Sequence, residues 1–252
     1  MPPRSTSDQK CTVVNSMNSD TEEPLSSLAE ELQMFFNQGA HDLKNAFQSM
    51  QLWLDTDQEL DRAQAVHLLR ELETYYTDKI DSLRHSFDEL QTVRTGTAPT
   101  TNVNVASVVM TVLDKMKDRL ERSAQVKTEL NAEVTLRYSE EHLGQAVYAL
   151  LDNAWRYRDF QRPLTIVVTA DADEREAYII VQDNGIGIDM ERYGEQLFTP
   201  FVRCTDQSEG QGMSLHLVSV MAEANGGRVA ISSQLSQGTT VKLYLPLNGH
   251  ST

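Results

Sequence analysis

Two long stretches of helical periodicity, separated by a short polar break, set the strongest limit on what this chain can fold into. Apolar residues recur as Leu28, Leu32, Phe35, Phe36, Leu43, Phe47, Met50 and Leu54. That three-then-four spacing puts them on one stripe of a helix. After Thr56, Asp57 and Gln58 the same spacing resumes at Leu60, Ala63, Val66, Leu69, Leu72, Tyr76, Ile80, Leu83, Phe87, Leu90 and Val93. Two such helices joined by a short turn predict an antiparallel hairpin over residues 25–95. A lone hairpin leaves much of each stripe in water, whereas two hairpins close into a four-helix bundle, so the pattern predicts a homodimer.

Gly96 and Pro99 among threonines stop the second helix and mark a linker, after which a second domain begins near Asn102. Its patterning is mixed. A short strand is expected at Val103–Val105, a helix over Ser107–Arg122, and a helix over Glu140–Arg158 capped by Ser139. Strands are expected at Leu164–Ala170 and Ala177–Gln182. A helix over Ser214–Ala224 ends at Asn225, Gly226 and Gly227, and strands follow at Arg228–Ser232 and Thr240–Leu245. The fold class is therefore α+β: a helical hairpin, then an α/β sandwich over residues 100–247 with helices on one sheet face. Residues 1–24, polar and rich in Ser, Thr, Asp and Pro, read as a mobile tail, and residues 248–252 as a second short tail.

Composition narrows the function. A length of 252 residues suits two modest domains. No apolar run approaches the ~20 residues of a membrane span, and the tail lacks the apolar core of a signal peptide, so a cytoplasmic location is expected. Only Cys11 and Cys204 occur, without metal-ligand spacing, which disfavours zinc and structural disulfides. The balance of 22 Lys plus Arg against 37 Asp plus Glu gives a net charge of -15, which opposes binding to nucleic acid.

The most informative short stretch is Val181-Gln-Asp-Asn-Gly-Ile-Gly-Ile188 at the end of a strand. Asp183 offers an acceptor to an exocyclic amine, and Gly185 and Gly187 let the backbone turn sharply and approach a ligand. By itself Asp-Asn-Gly is also an ordinary turn. Its neighbours in sequence change the reading: Leu150-Leu-Asp-Asn-Ala-Trp-Arg-Tyr157 before it, then Leu197-Phe-Thr-Pro-Phe201, Gly210-Gln-Gly-Met-Ser-Leu-His-Leu-Val218, and Gly238-Thr-Thr240. In this order the segments resemble the N box, first glycine box, F box and second glycine box of the histidine-kinase and related (GHKL-type) ATPases, whose ATP-binding domain is a Bergerat-type sandwich.

The resemblance implies an ATP site. Asn153 matches the family's magnesium-binding asparagine, a hard neutral ligand for a cation already carrying phosphate oxygens. Arg156 matches the basic residue that reaches the phosphates, and Tyr157 the ring beside the nucleotide; a solvated charge and a half-buried aromatic are the plainer alternatives. Gly210 and Gly212 match the mobile lid, Phe198 and Phe201 its fastening, and Thr239 the segment before the last strand. Ser214 stands where the family often has a third glycine, and serves as a candidate helix cap. Ala149 stands where related ATPases carry a glutamate that activates water. A methyl group cannot do that, which favours transfer of the phosphoryl group over hydrolysis.

An acceptor is at hand in Ala40-His-Asp-Leu-Lys-Asn-Ala46, which resembles the H box of histidine kinases. Asp42 can hydrogen-bond the His41 imidazole and take up its proton, and Asn45, one turn on, matches the residue that orients water for dephosphorylating a partner. Lys44 fills the usual basic position, while Ala46 replaces the common proline. The resemblance as a whole implies a two-component sensor histidine kinase core: ATP and Mg2+ bound by residues 100–247, phosphorylation of His41, and transfer to an aspartate of a response-regulator receiver domain. Input would come from the tail or a separate sensor protein. The rivals are a phosphotransfer or scaffold protein with a degenerate ATPase domain, a regulator acting chiefly as a phosphatase through Asn45, and an anti-sigma-type serine kinase, which lacks a hairpin such as residues 26–94.

Overall fold

The computed structural model describes residues 12–14, 98–205 and 212–247, together with Lys44, Gln48, Arg70, Thr74, Thr77, Asp88, Gln91 and Thr92, each helical and exposed. The chain divides into two units, Asn18–Glu89 and the remainder. The expected hairpin over residues 25–95, with His41, Asp42 and Asn45, lies outside the described residues apart from those isolated helical positions, as do Gly210 and residues 248–252.

The second unit is built on a six-stranded mixed sheet in the order β1-β7-β8-β6-β5-β3. The strands are β1 (Thr12–Val14), β3 (Ala124–Leu130), β5 (Leu164–Ala172), β6 (Glu176–Asp183), β7 (Arg228–Gln234) and β8 (Gly238–Pro246). Only the β3–β5 pair is parallel. A separate ribbon pairs β2 (Thr101–Asn104) with β4 (Thr135–Tyr138). The helices are α1 (Val105–Lys115), α2 (Lys117–Leu120), α3 (Glu140–Arg156), α4 (Met190–Tyr193) and α5 (Ser214–Glu223).

Alternation explains the layering. On β5 every second residue from Leu164 to Ala170 is buried, and Ala177, Ile179 and Val181 on β6 and Val241, Leu243 and Leu245 on β8 face the same core. Against them lies α3, whose Leu143, Val147, Leu150, Leu151 and Ala154 form one buried stripe. Ser139 caps α3 as expected, accepting from the His142 amide. The buried Tyr138 hydroxyl donates to the Met221 carbonyl at 2.6 Å and joins β4 to α5.

Several sequence expectations are corrected. The strand placed at Val103–Val105 is β2, ending at Asn104, because the Asn104 side chain accepts from the Ser107 amide and starts α1 at Val105. The single helix over Ser107–Arg122 is two, interrupted at Met116. Ser214 opens α5 without capping it; the preceding position is Met213, which makes no side-chain cap bond. Strands β3 and β4 were not anticipated: Ala124, Val126 and Leu130 alternate with Gln125, Lys127 and Glu129, but β3 is mostly exposed and its few apolar residues are only partly buried on the core. Within the tail expected to be mobile, Thr12–Val14 pairs antiparallel with Ala230–Ser232, supplying hydrogen-bond partners to an otherwise open sheet edge.

Candidate nucleotide-binding site

Strand β6 ends at Asp183, and the register with β8, Gln182 opposite Thr240, brings the Gly238–Thr239 segment alongside it. Asp183 Oδ1 accepts from the Gly185 amide at 2.7 Å and from the Thr239 amide at 3.2 Å. No described residue donates to Oδ2, which leaves that oxygen to accept from a ligand. Burial pushes the Asp183 carboxyl up to about 6; the two amide bonds and the nearby Arg162 charge oppose that shift without cancelling it.

The turn after Asp183 is built around close backbone approaches. A Cβ on Gly185 would overlap the carbonyl oxygen of Tyr157, which accepts from the Ile186 amide at 2.9 Å. Gly187 sits at φ +71, where a Cβ would overlap the Gln234 carbonyl. Both glycines are therefore required by the fold of the turn as well as by any ligand. Asn184 is consumed structurally: its Oδ1 accepts from the Thr165 amide and its Nδ2 donates to the Pro163 carbonyl.

From α3, Tyr157 enters the site through its main chain, as the residue that ends the helix and receives the glycine turn. Asn153 lies one turn earlier. Its backbone oxygen accepts from the Tyr157 amide, while its side-chain amide makes no hydrogen bond among the described residues. Arg156 is turned onto buried Asp152, which also accepts from Arg119 Nη1 at 2.7 Å. Arg119 and Arg158 each lie 4.1 Å from the centre of the Trp155 ring.

On the lid side, Gly212 sits at φ +73 and its carbonyl accepts from the Phe201 amide at 3.0 Å. Phe201 packs with Met213, Leu217 and Val220 in a small cluster of its own, and Phe198 packs on the main core. The Phe198 carbonyl meets buried His216 Nδ1 at 2.9 Å, a tether between the F-box segment and α5 that sequence reasoning passed over. It passed over two further residues. Ser233 Oγ accepts from the Ile188 amide, donates to the Gly238 carbonyl, and lies 2.9 Å from Thr239 Oγ1. Arg162 holds the turn from the other side. Neither is close to Asp183 in sequence, so no local spacing could have pointed to it.

Residues 138–249 match the family described as histidine kinase-, DNA gyrase B-, and HSP90-like ATPase. The match takes in 112 of the 252 residues, and over them the chain is similar to that ATPase family. The ATPase domain has relatives among sensor kinases: the chain is 35% identical over 102 residues to the methanogenesis regulatory histidine kinase FilI of Methanothrix harundinacea, covering 40% of this chain and 11% of that protein. It is 29% identical over 150 residues to the sensor protein SrrB of Staphylococcus aureus, covering 55% of this chain and 25% of that one. It thus spans a quarter or less of these relatives' lengths. Among solved structures, the Acinetobacter baumannii histidine kinase AdeS superposes with a TM-score of 0.59 at 20% identity, covering 84% of this chain and 97% of that one. Full-length ShkA, solved in complex with AMPPNP, gives 0.60 at 20% identity over 78% of this chain and 41% of that one. At such identities these structures establish a shared fold. Among the described residues no helix is long and apolar enough to cross a membrane.

Proposed function

We propose that the chain is the kinase core of a two-component sensor: its ATPase domain binds Mg-ATP and phosphorylates His41, and the phosphoryl group then passes to an aspartate on a response-regulator receiver domain. The observation that carries this reading is the Asp183 constellation. A carboxylate with one oxygen fixed by the Gly185 and Thr239 amides, and the other open, sits on a turn with no room for side chains. That arrangement suits the exocyclic amine and flat face of adenine. The unpartnered amide of Asn153 fits a magnesium ion whose remaining ligands are phosphate oxygens and water. Bound there, the ion would neutralise charge on the phosphates during transfer.

In the transfer itself a His41 ring nitrogen attacks the γ-phosphorus as the bond to the β-phosphate oxygen breaks and ADP leaves. Asp42 takes up the imidazole proton. In this scheme the Tyr157 ring lies beside the nucleotide while Arg156, Gly210 and Gly212 line the phosphate side, so Arg156 must leave Asp152 to reach it. Ala149 leaves α3 without a carboxylate to activate water, in keeping with transfer to a side chain. Pairing of two hairpins would make the working unit a cytoplasmic homodimer. The intact glycine turn disfavours a scaffold with a degenerate ATPase domain.

The test is incubation of the full chain with γ-labelled ATP and Mg2+, beside His41→Ala and Asn153→Ala, scoring acid-labile, base-stable label. Label in the wild type and in neither variant is expected. Equal labelling of His41→Ala would overturn the assignment of the acceptor, and absence of nucleotide binding by the wild type would overturn the site.

A further inference from the structure

We infer that Arg162 is a positioning residue for the adenine site, its guanidinium clamping the Asn184 and Gly185 carbonyls and so holding the turn that presents Asp183. The inference rests on the ATP-site reading above. Arg162 lies on the loop between α3 and β5, outside all the motif segments. Its Nε donates to the Asn184 carbonyl at 2.8 Å and its Nη2 to the Gly185 carbonyl at 2.7 Å. Two donors in a rigid planar fork meet two successive carbonyls, a geometry that a lysine ammonium cannot reproduce.

The clamp completes a ring of restraints. Tyr157 holds Ile186 from the end of α3, Pro163 just before β5 and Thr165 on β5 hold the Asn184 side chain, and Thr239 holds Asp183 from β8. Among the described residues Arg162 alone joins the loop after α3 to the main-chain carbonyls of the turn by side-chain donation. Without it, Asn184 and Gly185 lose their charged donor, and the peptide planes that aim the Gly185 amide at Asp183 are free to rotate.

Charge supplies a signature that packing alone would not. Among the described residues the charged group acting on Asp183 is Arg162, itself 3.5 Å from Asp159 Oδ2. The groups facing Asp183 from β8 and the glycine turn are the uncharged amides of Thr239 and Gly185. Arg162 therefore favours the ionised carboxylate that accepts from an amine, and its loss moves Asp183 titration to higher pH.

The experiment measures ADP binding to the full chain by calorimetry between about pH 5 and pH 8, in wild type, Arg162→Gln and Arg162→Lys, with a thermal melt of each. Expected are about tenfold weaker binding for Arg162→Gln, from loss of a charge-assisted pair of bonds, and a fall-off in binding that begins at higher pH than in wild type. Arg162→Lys, keeping the charge and losing the fork, is expected to bind more weakly than wild type with the wild-type pH midpoint. If Arg162→Gln does not fold, Arg162→Lys decides: wild-type affinity overturns the inference, and weakened binding at an unmoved midpoint supports it. Wild-type affinity and midpoint in a folded Arg162→Gln overturn it alone. Failure of the wild type to bind ADP sinks the ATP-site reading and this inference together.

Discussion

Replacing Asp183 by Asn is expected to stabilise the ATPase domain while crippling it. The carboxyl titrates at about 6 against an ordinary 3.8 because it is buried, so above neutral pH the fold carries an ionised group it disfavours. That difference corresponds to about 3 kcal/mol at 1.36 kcal/mol per pH unit. The sign follows from proton uptake: between the two values the folded state binds more protons than the unfolded chain, so stability falls as pH rises through that window and levels off above about 6. Asn presents the same Oδ1 to the Gly185 and Thr239 amides without the charge, but as a weaker acceptor. Discounting for that and for partial exposure leaves a gain of about 1–2 kcal/mol, or roughly 3–6 °C in Tm for a domain of this size. The assay is thermal denaturation of wild type and Asp183→Asn at about pH 5 and pH 8, with ADP titration at the higher pH. The stability gap is expected to open as pH rises, and ADP affinity to fall by about 30-fold with loss of the charged acceptor. An Asp183→Asn protein less stable than wild type at pH 8, or a gap independent of pH, would refute the argument that buried charge sets this site.

Gly187→Ala combines positive φ with overlap on the Gln234 carbonyl, and should cost about 2–4 kcal/mol in urea denaturation together with nucleotide binding. Asp152→Ala leaves Arg119 and Arg156 without their shared partner; because both arginines are partly exposed, the loss should be near 1–2 kcal/mol, read from the same melts. Tyr138→Phe removes one buried bond and leaves the Met221 carbonyl to the Asn225 side-chain amide alone, for about 1 kcal/mol, with ADP affinity unchanged.

Much of this protein was legible before any fold was known, for reasons that differ by element. Helix α3 announced itself because capping and periodicity are local: Ser139 and the stripe from Leu143 to Ala154 act within a few residues of each other. Asp183, Gly185 and Gly187 were legible because one turn imposes their conformations within five residues. Strand β3 was not, since a mostly exposed edge strand gains its order from pairing with β5 and its alternation rests on only Ala124, Val126 and Leu130. Nor was the pairing of Thr12–Val14 with β7, across more than two hundred residues of chain.

The same division runs through the site. Sequence determined which residue types stand at Asn153, Asp183 and Thr239, and their order along the chain pointed to nucleotide chemistry. Only the tertiary structure decided that Arg162 and Ser233 brace the glycine turn, that Arg119 reaches Asp152, and that Asn184 is spent on the main chain of Pro163 and Thr165. These are contacts between distant segments, set by sheet register and helix docking. A hydrogen bond formed across such a distance leaves no periodic trace in the chain that makes it.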